Sequence, residues 1–187
     1  MSESTNPCQT FFKKNAAVAD KVALLQQEKN AVEWESLTAS VDSPGPVQSE
    51  EYVLRLIFNP HHFDLETQTL KPSAVTDVKN KGCSVDRLTY TSIEESRKNG
   101  ESVAANKNKL SPDKPLKSLC GVAVLLVEAI RDIKVGQNSR AFTVYDTALK
   151  TNRAHADVCQ LTSAPSESRS ARLQLMALAD QGLQREL

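Results

Sequence analysis

The first regular pattern in the chain is apolar. Phe11, Val18, Val22, Leu25 and Val32 recur at intervals of seven, four, three and seven residues. At helical periodicity these positions share one face. Lys14, Lys21, Gln26, Gln27 and Glu28 fall opposite. The spacing predicts one long amphipathic helix over residues 11–37. Residues 1–10 are polar and small, and read as a disordered tail. Beyond the helix, Gly45 sits between Pro44 and Pro46, which interrupts helix and strand alike. Residues 39–50 therefore read as a linker. On this division residues 11–38 are a helical arm and residues 51–187 an α+β core domain.

The period changes at Tyr52. Residues 52–58 read YVLRLIF, with Val53, Arg55 and Ile57 on one face of a strand and Tyr52, Leu54, Leu56 and Phe58 on the other. Asn59-Pro60 ends it. Residues 73–78 and 83–90 are further strand candidates, joined by a turn at Lys81-Gly82. Ser92 with Glu95 three positions on forms a capping box. That predicts a short helix to about Asn99, closed by Gly100, followed by an exposed polar loop to Lys117. Residues 119–134 carry two patterns. Leu119, Val122, Ala123, Leu126, Ile130 and Ile133 fall at helical spacing, whereas the valines and the Cys120-Gly121 start favour a buried strand through Val127. Strands at 141–145 and 156–161 follow. A last helix is expected from a cap at Ser163 to about Gln181, with Gly182 as its stop. The expected fold is α+β: a mixed or antiparallel sheet core with a long N-terminal amphipathic helix and a C-terminal helix.

Composition narrows the function classes. At 187 residues the chain is long enough to bury a core without staples. Its 23 basic and 23 acidic residues cancel, which argues against a uniformly basic nucleic-acid binder. Aromatic content of 5% argues against a broad stacking platform. The longest apolar run, residues 119–127, is too short to span a membrane, and the first residues lack a secretory pattern. A cytoplasmic protein without membrane contact is the expectation. Cys8, Cys83, Cys120 and Cys159 are widely spaced and form no CxxC pair, so reduced structural thiols are expected, with no metal and no cofactor. Regionally, residues 1–50 balance at −3 and residues 71–117 at +4, a local anion-attracting face.

The candidate chemistry is sparse. His62 follows the first core strand and His155 precedes a later one, at strand ends where binding loops concentrate. Arg55, Arg87 and Arg153 lie near them in sequence and supply fixed positive charge, while Asp64, Asp86 and Asp157 supply carboxylates to orient an imidazole. The histidines equally suit plain turn capping. Zinc held by His61 or His62 with Cys83, His155 and Cys159 lacks a short ligand pair, and a cysteine nucleophile lacks an oxyanion signature. No Gly-rich phosphate loop and no nucleophile elbow occur. Two functions follow. One is a non-catalytic interaction or assembly protein, associating with a protein partner or a second copy through Val18, Val22 and Leu25. The other is an enzyme or sensor for a phosphate-bearing ligand, nucleotide or nucleic acid. That reading uses His62, Arg87 and His155 as its central cluster and Arg55 and Arg153 as further binding groups. Whether the chain catalyses anything stays open at this level.

Overall fold

In the computed structural model, which describes residues 6–185, the long N-terminal helix does not form. Its place is taken by α1 (Pro7–Lys14), α2 (Lys21–Leu25) and a 3-10 turn at Glu33–Ser36. Of the expected tail, residues 1–5 lie outside the described residues. The Asn6 side chain caps α1 by accepting from Gln9 N–H, with Pro7 in the first turn. Asn15 closes it by donating to the Phe11 carbonyl. A straight helix over 27 residues would run about 40 Å. Six paired strands are only about 24 Å wide. Folding the segment into short pieces brings Phe12, Val22, Leu25, Trp34 and Ala39 together around Tyr145 and Cys159. Val22 and Leu25, expected to present a binding stripe, are fully buried there, while Val18 is 39% exposed. Residues 39–50 are held by the core: Ala39 N–H donates to the Asp146 carbonyl, and Arg131 reaches the Val47 carbonyl.

The core follows the alternation. β1 (Tyr52–Asn59) is followed by the small hairpin of β2 (Phe63–Asp64) and β3 (Thr69–Leu70). Residues 73–78, expected as a strand, form 3-10 turns at Pro72–Ala74 and Thr76–Lys79. Arg55 fastens the first of these by donating to the Ala74 carbonyl. β4 (Cys83–Arg87) precedes α3 (Ile93–Leu110), whose capping box has both of its bonds. α3 runs on to Leu110, into the region expected to be a loop, and residues 111–117 remain without helix or strand. Gly100 does not end it but packs inward: a Cβ there would lie 3.0 Å from Leu119 Cδ1 and 3.3 Å from Leu56 Cδ1. Residues 119–134 obey both of their patterns in turn, β5 (Ser118–Leu126) and then α4 (Val127–Arg131). The hairpin of β6 (Lys134–Val135) and β7 (Ser139–Arg140), then β8 (Phe142–Tyr145), β9 (His155–Gln160), α5 (Pro165–Gln181) and β10 (Leu183–Arg185) complete the chain. α5 begins after Ala164 rather than from a Ser163 cap.

Six strands form one sheet in the order β10-β5-β1-β4-β9-β8, antiparallel throughout. One face carries Val53, Ile57, Val85, Leu125, Val144 and Val158, covered by Ala171, Leu175 and Ala179 of α5. The other face has two covers. α3 lies over β1 and β5, and the N-terminal segment lies over β8 and β9. No helix among the described residues is long and apolar enough to cross a membrane.

His62 is one of the buried polar groups of this fold. Its Nδ1 accepts from Phe58 N–H at 3.3 Å. Burial, and then the positive charges of Arg55, His61 and Lys117, pull its pKa down from 6.5 to about 3. The folded state thus holds the neutral ring. Its contribution is complete above pH 6.5 and is lost as the pH falls toward 3, because the unfolded chain takes up a proton first. Within that window the loss amounts to up to about 1.4 kcal/mol per pH unit. Urea unfolding at pH 7 and pH 4.5 should show a larger drop for the native chain than for H62N. Equal drops would refute this.

Candidate functional site: a polar cleft over the central strands

Between its two covers the second face of the sheet is polar. The register of β4 and β9 sets Ser84 opposite Asp157 and Asp86 opposite His155. Alternation puts all four side chains on that face. Asp86 is buried and accepts from Ser96 Oγ at 3.0 Å and Asn152 Nδ2 at 2.8 Å. Asp157, also buried, takes Lys21 Nζ at 3.1 Å on one oxygen and the Ser84 hydroxyl at 3.4 Å on the other. Lys21 comes from α2, so this ion pair fastens the N-terminal segment across β9. Gly82, at φ +91°, makes room beside it: a Cβ would stand 2.9 Å from Asp157 Cβ.

His155 is oriented by the residue facing it. Its Nδ1 lies 3.1 Å from the Thr147 carbonyl and 3.0 Å from Thr147 Oγ1. A carbonyl only accepts, so the bond to it places the hydrogen on Nδ1 and leaves Nε2 as the lone-pair nitrogen of the neutral ring. Nε2 is 3.9 Å from Asp157 Oδ1, an ion-pair distance once the ring is protonated. An imidazole held this way can take or give a proton at Nε2, or hydrogen-bond a ligand there.

His155, Asp157 and Lys21 line a cavity of about 1010 Å³ that extends over Lys13 of α1, the segment at Ser40 and the turn at Ala148. They also line an adjoining hollow of about 410 Å³ that reaches Ser84, Lys81 and Asp77. A third hollow, between α1 and α2, has Lys14 and Glu28 as its charged lining residues among those described. The chemistry converges on the first two.

The other candidate residues lie elsewhere. Arg87 is fully buried and fully engaged. Its fork grips Glu51 through Nε at 2.8 Å and Nη2 at 2.5 Å, and Nη1 bonds Asp146 and the Gly45 carbonyl. Burial pushes the Glu51 carboxyl up, but the bonds from Arg87 and Gln48 N–H outweigh it and hold Glu51 below its ordinary value. His62 sits past the end of β1, whereas His155 is level with Leu54 two strands away. That is roughly 13 Å along the strand direction alone. Arg55 is buried on the opposite face, with Nη1 on the Ser84 carbonyl. Arg153 is exposed on the turn before β9. Of the proposed cluster, then, His155 alone lines the cleft. Asp86 and Asp157 stand beside it. The sequence signal for this was the spacing of Ser84 with Asp86, two apart in a strand candidate, and of His155 with Asp157, two apart at the start of another. Lys13, Lys21 and Thr147 carried no such signal.

Cys8, Cys83 and Cys159 are buried free thiols. Burial pushes Cys8 up to about 12 and raises Cys83 and Cys159. Buried thiols held protonated are poor nucleophiles. No group of three or more metal-ligating side chains gathers among the described residues.

Fold and cleft together define an α+β protein with an open antiparallel sheet and a polar cleft walled by its own N-terminal segment. No protein-family model, no curated protein and no solved structure matches the chain.

Proposed function

We propose that the protein binds a phosphate-bearing small molecule in this cleft, as an enzyme or sensor of that ligand, with Lys13 and His155 as its anion-binding groups. The observation that supports this is the convergence of Lys13, Lys21 and His155 on one cavity where, among the described residues, Asp157 is the one lining carboxylate and is already matched by Lys21. An arriving phosphate therefore meets Lys13 with little opposing charge, and the lone pair on His155 Nε2 can accept from a protonated phosphate oxygen. Charge-assisted hydrogen bonds of this kind are about twice as strong as neutral ones. The cavity lies at the upper end of the ordinary size of small-molecule sites. The association reading has lost its main support, since Val22 and Leu25 are spent on the core.

Titration calorimetry with ribose 5-phosphate and inorganic phosphate tests the reading. K13A and H155Q should each weaken binding about tenfold, the scale of one charge-assisted contact. K107A, on the exposed side of α3, should leave it unchanged. Absence of binding at millimolar ligand, or equal effects of all three substitutions, would overturn the proposal.

A further inference from the structure

Building on that reading, we infer that the ligand is a nucleoside phosphate, with its phosphate at Lys13 and His155 and its base laid on Val41 and Leu149. The cavity is divided in character. Its buried and half-buried lining includes the polar Lys21, Thr147, His155 and Asp157 beside the apolar Phe12, Ala39 and Ala148. Its exposed lip carries Val41 and Leu149. Val41 is 84% exposed and Leu149 is 49% exposed, so both present branched apolar surface to water.

The lip is braced rather than loose. Leu149 and Asn152 exchange both backbone hydrogen bonds at 2.9 Å, and Ala148 N–H donates to Asp146 Oδ1 at 3.0 Å. Ala39 N–H donates to the Asp146 carbonyl, which ties the Val41 segment to the same corner, and Asp42 N–H donates to Ser40 Oγ. A rigid apolar lip next to an anion-binding end suits a ligand that joins a phosphate to an apolar group. A planar ring fits this shape better than an alkyl chain. One face of a ring covers two aliphatic side chains at little conformational cost, while its heteroatom edge stays hydrated or meets polar lining groups such as Gln9 and Ser40. A chain lying across an open lip would leave much of its length in water and would lose rotor freedom on binding.

The test compares adenosine 5′-monophosphate, ribose 5-phosphate and hexyl phosphate by calorimetry on the full chain. The nucleotide should bind about tenfold more tightly than ribose 5-phosphate, the difference expected when one face of a base covers roughly 55 Å² of apolar surface. The double variant V41S with L149S should remove that difference and leave ribose 5-phosphate affinity as it was; both positions are exposed, and a thermal melt checks that the fold is retained. Equal binding of nucleotide and ribose 5-phosphate would overturn the base platform and leave the phosphate reading standing. Hexyl phosphate matching the nucleotide would overturn recognition of a ring. Failure of all three ligands would overturn both readings.

Discussion

Deleting residues 1–40 should abolish cooperative folding. The deletion strips Phe11, Phe12, Val22, Leu25 and Trp34 from the cluster around Tyr145 and Cys159. Each large buried side chain is worth about 1.5–3 kcal/mol, against a total of about 5–15 kcal/mol for a typical domain. It also removes Lys21 from Asp157, and Glu35 from Arg131, Arg140 and Val144 N–H. That last loss strips the edge strand β8 of its acceptor and leaves two guanidinium groups without their shared carboxylate. Circular dichroism during urea titration should show a broad, non-cooperative change in place of a sigmoid. In the full chain, V22D should lower the unfolding free energy by about 3 kcal/mol or more, because it buries an unpaired carboxylate. A truncated chain that melts sharply near the native temperature, or a V22D variant of native stability, would restore the detachable arm and refute the packing described above.

R87A should be among the most destabilising single changes in the protein, at about 3–5 kcal/mol. Its removal leaves Asp146, whose side chain is inaccessible, and Glu51 without their shared cation. It also frees the Gly45 and Pro46 carbonyls that hold the 39–50 segment. R87K should recover part of the loss, since it restores charge without the two-pronged grip on Glu51. The pH dependence has a defined sign. The Glu51 carboxyl titrates below its ordinary value in the folded chain, so its contribution is complete above about pH 4.5 and fades as the pH falls through the lower folded value. That acid-side loss should be absent in R87A. Urea midpoints of the variants at pH 7 and pH 4 measure both effects. An R87A protein of native stability with selectively impaired phosphate binding would instead return Arg87 to the ligand site.

The sequence by itself determined the elements whose signals are local. The alternation of YVLRLIF sets β1 and assigns Val53, Arg55 and Ile57 to one face, because a pleated strand admits only two faces. Ser92 and Glu95 set the start of α3, because the cap satisfies backbone donors within four residues of itself. The α+β class, the β8 and β9 strands and the closing helix were legible for the same reason, whereas the choice of an antiparallel over a mixed sheet was not. Tertiary structure decided the rest. Apolar spacing cannot distinguish one long helix from short pieces that bend around a sheet corner; the choice lay with Tyr145, Cys159 and Asp157, more than a hundred residues away. A glycine inside a polar run reads as a helix stop until Leu56 and Leu119 are seen to pack closely against its bare backbone. An arginine near a histidine in sequence reads as an anion site until Glu51 and Asp146 are found to hold it. His155 could be singled out from its type and strand position, and Asp157 lies two residues along the same strand, but Thr147 follows β8 and Lys21 comes from α2. Cross-strand register and the crossing of the N-terminal segment bring them together, and neither leaves a local trace in the chain.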